Sequence, residues 1–221
     1  SDLDYLRHRD GMRRPLAQID LASFEDFAGI CAETVPRRGG TEARYRLWGV
    51  YEFSEEPANV LTRMCATCDA TLYQGPSGKI GIRGGKWVAP LVNIPTDIIT
   101  KAALTQGNDK LDVYNRLKVS FTEPNAFFQP TELEALDDLE SQAKIGVIDQ
   151  TLDLQMVPTP SQAARLAKIR MAKDNPLWKG SLSTHLPALD ALGEQTVSLV
   201  YDPLPDGGEP FMATAADLSG F

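Results

Sequence analysis

Between Cys31 and Leu72 the apolar pattern changes period repeatedly over a short span, and no other stretch limits the fold as tightly. Leading into it, Phe24, Phe27, Ile30 and Cys31 recur at helical spacing, with Ser23 in N-cap position and Asp26 three residues on. Pro36 and the Gly39-Gly40 pair stop that helix and turn the chain. From Glu42 to Tyr51 the pattern alternates. Tyr45, Leu47, Gly49 and Tyr51 point one way and Arg44, Arg46, Trp48 and Val50 the other, which predicts a strand. Ser54 opens a second helix with Pro57 in its first turn, and Leu61, Met64, Cys65 and Cys68 form its apolar stripe. Leu72-Tyr73-Gln74 and Ile80-Gly81-Ile82 flank the loop Gly75 to Lys79 and predict a hairpin.

Downstream, Lys86 to Leu111 is mixed, broken by Pro90 and Pro95, and Asp109 and Asp112 bracket an expected boundary. Leu117, Val119 and Phe121 alternate with Arg116, Lys118 and Ser120 in a half-buried strand that Glu123-Pro124-Asn125 ends. Asp137 is expected to cap a short helix closing at Gly146, and Ile148 to Met156 alternates again. Thr159-Pro160-Ser161-Gln162 has a cap, a proline at the first helical position and a glutamine in capping-box position, so a helix is expected to about Lys173. Leu182, Thr184 and Leu186 suggest one further strand and Val197, Leu199 and Tyr201 another, before a turn at Asp206-Gly207-Gly208. Strands outnumber helices and do not alternate regularly with them. The expectation is therefore α+β, with antiparallel β-rich small domains and helices packed against them, rather than a doubly wound parallel sheet.

At 221 residues, with 43% hydrophobic and 24% charged residues, the chain is one large domain or two small ones with a real core. The net charge of −8 argues against nucleic-acid binding, which draws most of its affinity from phosphate neutralisation. The basic clusters, Arg7-His8-Arg9 with Arg13-Arg14 and Arg37-Arg38, are short, flanked by acids and read as solvated surface. No apolar run approaches the roughly 20 residues of a membrane span, and the start has no signal-peptide pattern. Three cysteines make an odd count, which argues against a disulfide framework and fits a reducing compartment. The chain opens without Met and stops at Leu218-Ser219-Gly220-Phe221, which reads as a fragment of a longer protein.

Each motif that suggests chemistry has a plainer explanation. Cys65-Ala66-Thr67-Cys68 has CxxC spacing, but a zinc site needs two more ligands, and Cys31, His8 and His185 are scattered singles. The pair also lies near a helix end, whereas redox thiols favour helix N-termini, so core packing is expected. Gly75-Pro76-Ser77-Gly78-Lys79-Ile80 lacks both the upstream glycine and the hydroxyl of a phosphate loop, and Gly39-Gly40 and Gly84-Gly85 open no dinucleotide motif. His185 beside Ser181 and Ser183 lacks a nucleophile elbow. Glu55-Glu56, Asp137-Asp138 and Glu132/Glu134 are explained by helix starts and solubility. No catalytic, cofactor-binding or metal residue is assigned.

The order of motifs resembles the tail-tip (tip attachment, "protein J") family of long-tailed bacteriophages and their prophage or gene-transfer-agent relatives. The resemblance is carried by Cys31, Gly39-Gly40-Thr41-Glu42-Ala43-Arg44-Tyr45, Val60-Leu61, Leu72-Tyr73, Asn115 to Pro124, Gln129-Pro130, Asp137 to Gly146 and Thr159 to Arg165. It spans about Phe24 to Pro203 and departs at Cys68-Asp69-Ala70, where relatives often carry aromatic-Arg-Gly. The resemblance implies a trimeric hub at the distal end of the tail tube, joining the tube and tape-measure protein to host-contacting parts, with the DNA path through its centre. It implies a virion-tail location after assembly in the bacterial cytoplasm, contact with the host surface only indirectly, and no catalysis. An acidic lumen would keep DNA passage non-sticky. The corresponding division is a helical lead-in over 1–41, a small β-α-β-β domain over 42–110 and a β-rich hub domain over 111–221. Trp48, Trp87, Phe127 and Phe128 are the candidate interface anchors, with ordinary core as their alternative. The other functional readings are a tail-associated cell-wall hydrolase and a carbohydrate-binding module.

Overall fold

A computed structural model describes residues 2–75, 77–107, 113–191, 194–201 and 209–212. Pro76, Asp109, Asp112 and the turn expected at Asp206-Gly207-Gly208 lie outside the described residues. The fold is α+β, as the sequence predicts, with small, mostly antiparallel sheets of two to four strands.

Helix α1 (Asp2–Arg7) carries Asp2 and Asp4 in its first turn and Arg7 in its last, the arrangement its dipole favours. Helix α2 (Leu21–Ala32) buries Phe24 and Phe27. Its N-cap is Asp20, not the expected Ser23, which lies inside the first turn. Ser23 Oγ instead donates to the Asp20 carbonyl at 2.8 Å and accepts from the Ile82 amide at 3.1 Å, tying the helix start to the sheet below. After α2, strands β1 (Thr34–Arg37) and β2 (Gly40–Ala43) form a tight hairpin, with Gly39 at φ 81° in the left-handed region that glycine occupies without penalty.

Helix α3 (Pro57–Ala66) starts later than Ser54, at the proline itself. It packs on α1 and buries Val60, Leu61, Met64 and Cys65. Strands β3 (Ala70–Gln74) and β4 (Ile80–Gly84) form the expected hairpin around the loop 75–79, and α2 lies over β4. Strands β5 (Val92–Ile94) and β6 (Ile99–Gln106) occupy the stretch whose pattern is mixed. Next come β7 (Arg116–Glu123), β8 (Gln129–Glu132) and β9 (Leu136–Asp137). Helix α4 (Leu139–Ile145) is capped by Asp138, one residue later than expected, whose carboxylate accepts from the Ser141 amide at 3.0 Å. Asp137 is free to pair with Arg116 at 2.7 Å.

Strand β10 (Asp149–Leu154) follows, then α5 (Pro160–Asp174), whose bounds match the sequence expectation closely. Strands β11 (Trp178–Thr184), β12 (Thr196–Leu199) and β13 (Glu209–Met212) complete the described fold. Leu186, expected in a strand, begins a short 3-10 helix instead. Two pairings are parallel: β10 with β7 and β12 with β5.

The larger core sits where α5 covers one face of the β7–β10 pair. Leu117, Val119, Phe121 and Leu154 point into it and meet Ala163, Leu166 and Ala167, all at most 4% exposed. The opposite face is a polar ladder, with Lys118 on Asp149 at 2.5 Å and Ser120 on Asp153 at 2.9 Å. A second, smaller cluster gathers Ile94, Val197 and Leu199, with Leu104, Trp178 and Leu182 from the β6–β11 ribbon packed against it.

Candidate interaction surface

The segment after β2 keeps the alternation expected of Glu42 to Tyr51 but not the ladder. Regular pairing ends at Ala43, and residues 44–52 run extended as a strap across the larger core. The strap is held by scattered partners. The Arg44 and Tyr45 amides donate to the Glu33 and Cys31 carbonyls at 2.7 and 3.2 Å, and the Trp48 amide to the Met156 carbonyl at 3.0 Å.

Its tightest clamp is the first turn of α5. Gln162, 1% exposed, accepts from the Arg46 amide at 3.0 Å and donates to the Arg46 and Thr67 carbonyls at 2.9 and 2.7 Å. Thr159 caps the helix as expected, accepting from the Gln162 amide at 3.3 Å. The glutamine side chain does not complete the capping box, because the strap takes its amide group. Beside it, Glu42 accepts from Ser161 Oγ and Arg165 at 2.6 Å each, and Arg165 also donates to the Arg44 carbonyl at 2.6 Å. Burial alone would raise the Glu42 pKa, but the Ser161 and Arg165 hydrogen bonds outweigh it and hold the carboxyl below its usual value.

The inward side chains explain the strap's path. Tyr45 is buried and donates its hydroxyl to the Gly85 carbonyl at 2.6 Å, and burial pushes its phenol up to about 12. At Gly49 a Cβ would lie 2.5 Å from Met156 Cγ, so only glycine lets the strap lie this close. Tyr51 packs edge-on to Tyr5 with ring centroids 5.1 Å apart.

Two of the outward side chains, Trp48 and Val50, are apolar and have little cover. Val50 is 89% exposed and Phe53 75%, while Trp48 stacks on Phe128 at 6.3 Å between centroids. Phe128 comes from the turn between β7 and β8, where Phe127 and Phe128 both sit in left-handed conformations, at φ 55° and 58°. Such a conformation costs a residue with a Cβ on the order of 1–2 kcal/mol, and here it holds two phenyl rings in solvent. Of the four anchors expected, the structure brings Trp48 and Phe128 together and sets Phe127 at the tip. Trp87, 63% exposed, lies on the segment linking the two clusters with exposed Leu91 and makes no ring contact with the others. None of the four is core. Val50 lies on the same outward face of the strap as Trp48, and its signal is an apolar residue on the polar face of an alternating segment; Phe53, beyond that segment, packs edge-on to Tyr51 with ring centroids 6.2 Å apart.

The other motifs fall where packing explains them. Cys65 and Cys68 are buried, and burial pushes the Cys65 thiol up to about 12. Gly78 at φ 74° and the Gly75–Lys79 hydrogen bonding make a hairpin turn. His185 is exposed, and its amide donates to the Ile98 carbonyl. Glu55 pairs with Arg63. Among the described residues no group of three or more His, Cys, Asp or Glu could hold a metal ion, and no helix is long and apolar enough to cross a membrane.

No family model matches the chain, and no curated protein matches it. Among solved structures the chain is similar to prophage tail protein gp18 from Listeria monocytogenes EGD-e. The two are 15% identical with a TM-score of 0.37, over 75% of this chain and 53% of that one. The chain thus spans about half the length of that protein. A likeness at this level carries no functional argument, so the reading of function rests on the chain's own residues.

Proposed function

We propose that this chain is a structural component of a phage or prophage tail, part of the tail tip or baseplate hub, and that it works by docking to neighbouring subunits rather than by making or breaking bonds. The observation that carries this reading is the pair Phe127 and Phe128, held exposed in left-handed conformations beside the clamped strap. Glycine would fill those positions without strain, so the phenyl rings are retained at a cost that burial against another surface would repay. The resemblance to tail-tip proteins carried by the motifs from Cys31 to Arg165 is what supports sister copies in a trimeric hub, adjoining tail-tip subunits and the tape-measure protein as the docking partners, with the host surface touched only indirectly.

Immunogold labelling of virions from producer cells, with antibodies to this chain, tests the reading. Label at the distal end of the tail is expected. Label on the capsid alone, or turnover of peptidoglycan by the purified chain, would overturn it. The exposed indole of Trp87 favours a second reading, a carbohydrate-binding module, since such rings stack on sugar faces. Glycan-array binding lost in Trp87→Ala would decide for it.

A further inference from the structure

We propose that the cleft between α1, α2 and the root of the strap binds a small organic cation, an ammonium group carried on an apolar body, with the Asp2 carboxylate as its counter-ion. The inference is independent of the tail reading. The cleft has a volume of about 490 Å³, within the range of small-molecule sites, and Thr67 and Cys68 at the end of α3 complete its lining.

Asp2 is the unusual member of this wall. It is 8% exposed, and its Oδ1 has no hydrogen-bond partner. The Glu42 side chain is buried to the same degree, 7% exposed, but it is met by Ser161 and Arg165. A carboxylate taken out of water without such partners costs free energy, and a donor arriving with a ligand would offset that cost. The terminal torsion of an aspartate is soft, so a small turn presents the orphan oxygen to the cleft. Burial raises the Asp2 pKa, and the chain's α-amino group and its own amide, which pull the other way, leave it above the ordinary aspartate value. A bound cation would reverse that shift.

The rest of the lining selects the ligand class. Among the described residues, the charged groups along the cleft are the acids Asp2, Asp4 and Glu25 against the single base Arg46, so its field favours a positive charge. Phe24, Phe27, Tyr45 and Leu47 supply an apolar wall that suits an aliphatic or aromatic body. Aromatic rings beside a carboxylate are also the surroundings that hold organic ammonium ions. A metal ion fits less well, because it needs several oxygen or nitrogen ligands and no group of three or more His, Cys, Asp or Glu gathers among the described residues.

Titration of the chain with phenethylammonium, followed by two-dimensional amide NMR, tests this. Saturable shifts at Asp2, Ala28 and Thr67 are expected, with phenethyl alcohol, the neutral counterpart, binding roughly tenfold or more weakly. Asp2→Asn keeps the size of the side chain and removes its charge. It is expected to weaken phenethylammonium binding by roughly tenfold or more. Its melting temperature is expected to equal or exceed that of the wild type, since an amide is cheaper to bury than an unpaired carboxylate. Ala28→Trp, at an exposed position of α2 that lines the cleft, is expected to block binding with the melting temperature unchanged. Equal binding of the alcohol, unchanged affinity in Asp2→Asn, a melting temperature several degrees lower in that variant, or no saturable shift with phenethylammonium would overturn the proposal.

Discussion

At the scale of single residues, Gln162 on α5 and Glu42 on β2 decide where the strap goes. Gln162 uses both ends of its amide group on backbone that would otherwise have no ladder partner. Gln162→Ala leaves those groups buried without partners and is expected to cost about 1–3 kcal/mol, read as a lower urea midpoint with unchanged slope. Glu42 makes the second clamp, and its linkage to pH has a definite sign. A carboxyl whose folded pKa is depressed stabilises above its unfolded value and loses that contribution as pH falls through the folded one. The surface pairs at Glu33 and Asp137 act in the same direction, while Asp2, raised by burial, acts in the opposite one. Wild-type stability is therefore expected to fall below about pH 4.5, the ordinary glutamate range. Glu42→Gln is expected to be weaker at pH 7 and to show a flatter acid limb in urea titrations followed by circular dichroism.

At the scale of elements, what the sequence reveals is what is local. Helix α5 is readable because Thr159 and Pro160 mark its start within two residues, β7 because Leu117, Val119 and Phe121 bury one face, and β10 because its alternation carries Leu152 and Leu154 toward the core. Phe121 on β7 is 2% exposed, and Phe121→Ala is expected to cost about 3–5 kcal/mol in a denaturant titration. The strap shows the limit. Its alternation is legible, but whether an alternating segment joins a ladder depends on partners far along the chain, and Arg46 finds its own in Gln162, 116 positions away. Strands β5 and β6 are hidden for another reason. Pro90 and Pro95 interrupt the stretch, and the exposed face of β6 presents Lys101 and Ala103, residue types depleted in strands. The site divides in the same way: the aromatic residues are visible in the sequence, but the meeting of Trp48 with Phe128, and the left-handed turn that permits it, are not.

At the scale of the whole molecule, the described residues carry two apolar clusters of very unequal size. The smaller rests on Ile94, Val197 and Leu199, and stability within one chain is lowest where the fewest apolar contacts protect the backbone. Leu199→Ala is expected to release amide protons of β5 and β12 to exchange long before those of β7 and β10, as followed by hydrogen-exchange mass spectrometry. The parallel pairing of these two strands also has a consequence during synthesis. Val92 waits for Val197, 105 positions later (197 − 92), before its strand has the neighbour it ends with. At the roughly 5–20 residues per second of a translating ribosome, that is an interval of about 5–20 seconds in which the nascent chain shows Val92 and Ile94 to the cytosol, long enough for a chaperone to find them.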